Sequence, residues 1–170
     1  LAGSVSGADR AAIPASVEPR VGSVDLAIVG PGPGKSADPI ARITATIAFD
    51  AETAARLCLL PAPAVLIRSD LGTDRLKLAM VTNGYAIDIV KPGAYTVTLE
   101  YLLPVLERDG CRTLSVALPA ALKNRARLRI PAEGLDVQAD RSVRLTLSEG
   151  KGVTEAEALF APQAPAVFTW

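Results

Sequence analysis

The chain contains no histidine, which removes the general base that enzymes use most often near neutral pH. Triads of the Ser-His-Asp or Cys-His type are therefore excluded. The usual imidazole ligands of zinc are missing too, and the two cysteines lack any zinc-site spacing. No apolar run approaches the ~20 residues of a spanning helix. The sequence predicts no catalytic residue, no metal site, no cofactor and no membrane insertion by this segment.

A net charge is also lacking, because 18 basic and 18 acidic residues cancel. The chain therefore has no general attraction to nucleic acid or to anionic membranes, and nucleic acid is not expected as a partner. Hydrophobic residues make up 49% of the 170 residues and charged residues 21%. This composition is typical of a globular protein that is long enough to bury a core.

Aromatic residues are scarce, at 4% of the chain. Carbohydrate-binding modules on sandwich folds commonly use exposed aromatic platforms. Tyr85, Tyr95 and Tyr101 lie on the apolar faces of their predicted strands, which favours core filling over sugar stacking. Carbohydrate binding therefore remains an alternative, with carbohydrate as a candidate partner.

The clearest structural signal is the stretch from Leu76 to Leu103, in which three apolar-alternating runs are separated by two turn signals. Asn83-Gly84 suits a two-residue hairpin turn, and Lys91-Pro92-Gly93-Ala94 suits a type II turn. In the last run, alternate residues from Tyr95 to Leu103 are apolar. This period of two predicts half-buried antiparallel strands arranged as a β-meander.

The same pattern along the rest of the chain predicts an all-β fold of ten to twelve short strands. We expect a mostly antiparallel β-sandwich, immunoglobulin-like or jelly-roll-like, with at most one short helix. The helical candidate is residues 50–56, capped by Asp50. Residues 1–20 are expected to form an irregular arm and residues 21–170 the sandwich, with a candidate subdivision near 104–110. The segment between the glycine-rich break at 149–152 and the closing run from Ala166 is only weakly patterned.

A glycine-rich loop, Gly30 to Ser36, ends in Gly-Lys-Ser as a phosphate-binding P-loop does. The spacing is wrong by one residue, since only three residues separate Gly30 from Gly34. Pro31 and Pro33 also remove backbone N–H groups that would hold phosphate. The loop is interpreted as a turn or linker.

The two cysteines, Cys58 and Cys111, each lie inside or beside a predicted strand. One interpretation is a disulfide between the two sheets of the sandwich, although sequence cannot establish the short Cα separation that it needs. The other is a pair of small buried apolar residues.

A basic run at residues 123–129 places Arg125, Arg127 and Arg129 on one face of a predicted strand. Guanidinium groups bind phosphates and carboxylates well, so one hypothesis is contact with an anionic partner. The alternative, which the lack of interleaved aromatic residues favours, is a solvated outer face that blunts edge-to-edge pairing.

Three local carboxylate pairs leave a hydrolase as a less favoured hypothesis. They are Asp50 with Glu52, Asp70 with Asp74, and Asp136 with Asp140. Each pair lies beside turn residues, where aspartate normally caps or closes the turn.

The run from Pro92 to Leu99, PGAYTVTL, resembles the Pro-Gly-x-Tyr-x-Val-x-Leu strand of bacterial immunoglobulin-like and polycystic-kidney-disease-type domains. The turn, strand and Leu-Pro alternation from Leu57 to Asp136 is similar to β-sandwich segments of large bacterial envelope proteins. The resemblance implies a non-catalytic, extracytoplasmic module and transfers no functional residue.

The apolar C-terminal run, Val167 to Trp170, agrees with a longer parent protein. We therefore expect a structural or protein-interaction module of a larger bacterial extracytoplasmic protein, located in the periplasm or cell envelope. Its expected partners are neighbouring domains of the same chain or another protein. An edge-strand protein binder is one form of this hypothesis, and it predicts a long unpaired strand edge.

Overall fold

A computed structural model of the chain describes residues 16–29, 39–118, 121–162 and 165–170. These residues form fourteen strands and no helix. The strands are β1 (Val17–Val29), β2 (Ile40–Ala51), β3 (Ala55–Pro61), β4 (Val65–Asp70), β5 (Leu76–Val81), β6 (Gly84–Ile89), β7 (Gly93–Pro104), β8 (Leu106–Arg108), β9 (Cys111–Val116), β10 (Lys123–Ile130), β11 (Gln138–Asp140), β12 (Ser142–Gly150), β13 (Val153–Phe160) and β14 (Ala166–Thr169).

The predicted all-β, mostly antiparallel class is confirmed, with more strands than the expected ten to twelve. Strand β8 is a short strand of three residues, and β13 forms within the weakly patterned segment after the glycine-rich break. Strand β1 begins at Val17, four residues before the expected start of the sandwich. The first fifteen residues of the expected arm, and the loop at 30–36, lie outside the described residues.

The strands form one large sheet and two small ones. The large sheet has seven strands in the order β12-β13-β10-β1-β2-β7-β4, and every neighbouring pair is antiparallel except β1 with β10, which is parallel. The small sheets are β11-β14-β9-β8 and β3-β6-β5. Strands that precede and strands that follow the candidate subdivision at residues 104–110 therefore belong to the same seven-stranded sheet.

Two apolar cores lie on the inner face of the seven-stranded sheet. One core contains residues of β1, β2, β7, β10 and β13 together with β9 and β14 of the four-stranded sheet. The other contains residues of β1, β2 and β7 together with β3, β5 and β6. The two small sheets thus cover different parts of the same large sheet, whose other face is the outer face.

The period of two predicts burial correctly in the central strands. In β7, Tyr95, Val97, Leu99, Tyr101 and Leu103 are all buried, as expected from the sequence. In β2, Phe49 is fully buried and lies opposite Tyr95, with ring centroids 5.7 Å apart. Burying one such side chain stabilises the fold by roughly 1.5–3 kcal/mol.

The predicted three-stranded meander is only half right. Strands β5 and β6 form the expected hairpin, but its turn residues are Thr82 and Asn83, and Gly84 opens β6. Strands β6 and β7 do not pair, because they belong to different sheets. The turn at Lys91–Ala94 carries the chain from the three-stranded to the seven-stranded sheet, so that these strands pack face to face.

The helix predicted at residues 50–56 is wrong. Asp50 and Ala51 end β2, and β3 begins at Ala55. Ala51 is buried and pairs with Gly93 of β7, while the Glu52 N–H donates to the Ser16 carbonyl at 2.8 Å. Pairing with two neighbouring strands therefore outweighs the local helical preference of this alanine-rich segment.

Candidate interaction surface on the outer face

The outer face of the seven-stranded sheet carries the predicted Arg125, Arg127 and Arg129. All three side chains point away from the core, because Ala126, Leu128 and Ile130 fill the alternate, buried positions of β10. The neighbouring strand β13 runs antiparallel to β10 and places Glu155 and Glu157 on the same face. The three arginines therefore lie beside acidic side chains of their own chain.

Glu157 is shared by two of these arginines. Arg125 donates from Nη2 to Glu157 Oε2 at 2.5 Å, and Arg127 donates to the same oxygen at 3.3 Å. The hydrogen bond from Arg125 holds the pKa of the Glu157 carboxyl below its usual value and, in turn, raises the pKa of the Arg125 guanidinium. Arg129 makes a longer ion pair with Glu155, with Nε 3.6 Å from Oε1.

These ion pairs agree with the solvated-face interpretation of the basic run. An external anion would have to compete with Glu155 and Glu157 for the guanidinium groups. Contact with an anionic partner stays a prediction. The sequence does not reveal this competition, because the alternating glutamates of residues 153–160 can be assigned to Arg125 and Arg127 only once β10 and β13 are known to pair.

A shallow groove of about 490 Å³ follows the strands β12, β13 and β10 on this face. Its lining is mostly polar and of mixed charge, with Arg127, Arg144, Thr146, Ser148, Glu155 and Glu157 beside the apolar Ala156 and Leu159. Arg144 makes no ion pair with any residue that the structure describes. The groove thus offers one uncommitted guanidinium beside the edge of the sheet.

An apolar corner lies on the same outer face at the far end of the central strands. Cross-strand pairing joins Val29 to Ile40, Ile40 to Pro104, and Leu102 to Val65. Val29, Ile40 and Val65 are 50%, 41% and 57% exposed. We define the apolar corner as these five residues. Contiguous exposed apolar surface on an otherwise largely polar face is typical of a contact site.

The apolar corner escapes notice in the sequence. Its five residues come from four strands, β1, β2, β7 and β4, and all except Val65 follow or precede residues that are buried. The alternation of buried and exposed positions along β2 and β7 places Ile40 and Leu102 on the outer face, so the sequence alone could have identified these two residues. Their proximity to Val65 depends on the order of strands in the sheet.

Carboxylates gather in a second groove, of about 340 Å³, at the opposite end of β1 and β2. Asp50 and Glu52, which the sequence paired, line this groove together with Glu18, which is directly opposite Asp50 in the strand register. Asp50 is 43% exposed and forms an ion pair with Arg20, with Oδ2 2.9 Å from Nε. These carboxylates are open to water rather than set in the apolar surroundings that a general acid requires.

The other two carboxylate pairs behave as turn residues or as exposed charges. Asp70 accepts a hydrogen bond from the Gly72 N–H at 3.0 Å, which confirms its predicted role in closing a turn. Asp140 is exposed and lies 3.6 Å from the Arg141 guanidinium, and Asp136 is exposed as well. Neither pair lines the two grooves described above.

The disulfide between Cys58 and Cys111 is absent from the structure, in which both cysteines are free. Cys58 lies half-buried in β3 of the three-stranded sheet, and Cys111 is exposed at the start of β9 in the four-stranded sheet. The two cysteines therefore lie in different small sheets. The alternative of two small buried residues does not fit Cys111, which is exposed, and fits Cys58 only in part.

The aromatic side chains serve the core. Five of the seven are buried, and the remaining two, Tyr85 and Trp170, are partly buried and pack against a core. The predicted core role of Tyr95 and Tyr101 is confirmed. No aromatic side chain is left fully exposed as a stacking platform, since the described residues include all seven.

The parts of the chain that the structure describes contain no group of three His, Cys, Asp or Glu side chains placed to hold a metal ion. The same residues include no helix that is long and apolar enough to cross a membrane.

No family model matches the chain, and no curated protein does. Among solved structures, the M1 zinc metallopeptidase from Deinococcus radiodurans is similar, with a TM-score of 0.61 and 13% identity over 91% of this chain. A mutant of that peptidase bound to a Tyr-Ser-Ala substrate matches equally well. A protein described as nutrient-binding, from Legionella pneumophila, matches with a TM-score of 0.57 and 8% identity.

The chain spans 42% of the length of the Deinococcus peptidase and 66% of the Legionella protein. At these low identities the likeness is one of fold. The chain therefore has an all-β fold that also occurs as part of longer chains.

Proposed function

We propose that this chain is a non-catalytic structural or protein-interaction module of a larger bacterial extracytoplasmic protein. The observation that carries the proposal is the apolar corner, in which Val29, Ile40 and Val65 are exposed together on an otherwise largely polar sheet face. Burying such a patch against a neighbouring domain would stabilise the contact by roughly 25 cal/mol for each Å² of apolar surface removed from water. The partner is a domain of the same protein or a second protein with an apolar contact surface.

Several features support a role without catalysis. The chain has no histidine, and its clustered carboxylates at Glu18, Asp50 and Glu52 lie in an open groove with Arg20 beside them. The buried aromatic residues weigh against the carbohydrate-binding alternative, which needs a stacking platform. The occurrence of the fold within longer chains supports a module that works together with other domains.

Amide hydrogen exchange tests the docking role of the apolar corner. Exchange is measured on residues 1–170 alone and on the same residues within the natural protein, with whatever sequence flanks them. We expect slower exchange in the longer protein at the ends of β1, β2, β4 and β7 that form the corner. Ile40→Lys should remove this difference, whereas the outward-facing control Thr44→Lys on the same strand should retain it. Equal exchange in both forms would overturn the proposal.

The proposal that the chain is not a catalyst is tested separately. The Deinococcus peptidase is described with a Tyr-Ser-Ala substrate, so that tripeptide and zinc are incubated with the purified chain. We expect no cleavage by mass spectrometry. Cleavage that a chelator abolishes and that follows the chain through purification would contradict the proposal.

The extracytoplasmic location rests on the resemblance of residues 92–99 to bacterial immunoglobulin-like and polycystic-kidney-disease-type domains and of residues 57–136 to β-sandwich segments of envelope proteins. Cell fractionation tests it, with the protein expected in the periplasmic or envelope fraction. Recovery with cytoplasmic enzymes would contradict that location.

A further inference from the structure

The edge strand β12 is the longest edge strand among the residues that the structure describes. It extends over nine residues, Ser142–Gly150, and its pairing with β13 is regular from Arg144 to Gly150. Strand β4, at the other edge of the same sheet, is interrupted by a bulge at Ile67. The edge strand β3 has a bulge after Cys58 and ends in Pro61. Bulges and prolines are devices that prevent edge pairing, and β12 lacks them after Arg144.

β12 also exposes apolar side chains. Val143 is 74% exposed and Leu147 is 44% exposed, although Leu147 points toward the inner face, opposite Ala156 of β13. Leu145 on the same side is partly buried and packs against the core. The apolar core therefore extends to the edge strand β12, where the side chain of Leu147 is still partly exposed to solvent.

We propose that β12 pairs antiparallel with β12 of a second copy of this chain, and that the seven-stranded sheet thereby continues across the junction. A twofold axis perpendicular to the sheet keeps inner side chains facing inner side chains. With the axis at Thr146, Leu145 of each copy lies opposite Leu147 of the other. Two Leu–Leu pairs then cover the exposed surface that each copy presents alone.

Charges on the outer side of this junction are complementary. In the same register Arg144 lies opposite Ser148 of the second copy, and Ser148 pairs with Glu155 on β13. Two strand spacings, about 10 Å, separate the Cα atoms of Arg144 and that Glu155, which two long side chains can bridge. Arg144 makes no ion pair with the described residues of its own chain, and Glu155 has one long ion pair. The twofold axis creates this new contact twice.

Long-range repulsion does not oppose the association, because the chain has zero net charge. The β12 strand shares no residue with the apolar corner. The second-copy proposal is therefore independent of the proposed function, and the two can fail separately.

Register-specific crosslinking is the decisive experiment. In a background of Cys58→Ser and Cys111→Ser, Thr146→Cys should oxidise to a disulfide-linked dimer, since the axis places position 146 opposite itself. Two controls are Ser148→Cys, which would face Arg144, and Thr44→Cys on the distant strand β2. We expect crosslinking at position 146 to be at least several-fold faster than at either control. Equal rates at all three positions would overturn the proposal.

Sedimentation of the unmodified chain gives the second measurement. Between micromolar and millimolar concentrations we expect a reversible monomer–dimer equilibrium, which Leu147→Lys abolishes while circular dichroism shows an intact fold. The matched control Leu122→Lys changes a 77% exposed leucine outside β12 and should leave the dimer unchanged. A monomer at all concentrations overturns the proposal. Amides of β12 that become protected only on binding a different protein would also overturn it and assign the edge to that protein.

Discussion

Arg125 of β10 reaches diagonally to Glu157 of β13, with Nη2 of the arginine 2.5 Å from Oε2 of the glutamate, although the residue directly opposite Glu157 is Arg127. The same carboxylate oxygen accepts a second hydrogen bond from Arg127. One glutamate therefore holds two of the three arginines that the sequence singles out as candidates for binding an anion. The positive charge of the basic run is therefore neutralised mainly by the glutamates of the neighbouring strand β13.

Removing this carboxylate should release anion-binding capacity. We expect Glu157→Gln to bind an immobilised polyanion such as heparin more tightly than the unmodified chain, and to elute at higher salt, because Arg125 and Arg127 lose their shared partner. Glu52→Gln, which removes the same charge at an exposed position away from β10, is the control. If both variants shift elution equally, net charge rather than the arginine pair governs binding.

Alkaline pH should destabilise the fold through Tyr101. Burial raises the pKa of the Tyr101 hydroxyl above its ordinary value, whereas tyrosine in the unfolded chain ionises near pH 10. The stability that this neutral phenol contributes is complete below about pH 10 and is lost as the pH rises through the folded pKa, at about 1.4 kcal/mol per pH unit.

Urea unfolding between neutral pH and pH 11 measures this effect. We expect Tyr101→Phe to lose less stability above about pH 10 than the unmodified chain, while the two agree near neutral pH within about 1 kcal/mol. Identical curves above pH 10 would show that Tyr101 does not titrate differently in the folded state.

Gly84 should tolerate no side chain. It has a φ of +138°, and an added Cβ would lie 1.9 Å from the carbonyl oxygen of Leu60 on β3. We expect Gly84→Ala to lower the free energy of unfolding by roughly 2 kcal/mol or more, since both the dihedral strain and the clash with backbone oppose it. Gly150→Ala is the control, because nothing lies within 4 Å of its added Cβ. A loss below about 0.5 kcal/mol at Gly84 would contradict this close approach of β6 to β3.

Both thiols should react with Ellman's reagent in protein prepared without reductant. Cys111 is exposed and Cys58 only partly so, and we therefore expect two thiols per chain that react in a faster and a slower phase. Cys111→Ser should remove the faster phase, and Cys58→Ser the slower one. A chain without reactive thiols until reductant is added would restore the disulfide hypothesis.

Local patterns predicted the burial of β2 and β7 well, because a side-chain period of two depends only on the extended backbone. The same patterns failed at Asp50–Arg56, where alanine-rich sequence favours helix but Ala51 completes the pairing of β2 with β7. They also missed the separation of β6 from β7. A tight turn between two strands is compatible with edge-to-edge pairing in one sheet and with face-to-face packing between two sheets.

The sequence by itself determined the all-β class, the buried face of the central strands and the exclusion of histidine-based chemistry. Tertiary structure alone decided which strands are neighbours. The parallel pairing of Ser23 on β1 with Arg125 on β10 joins the two halves of the chain, and the pairing of β10 with β13 brings Glu157 to the arginines. Strands pair through backbone hydrogen bonds, and every residue type except proline, which lacks the N–H donor, supplies both a donor and an acceptor. The sequence therefore carries little information about which strands pair. The surfaces from which the function is argued depend on that order of strands.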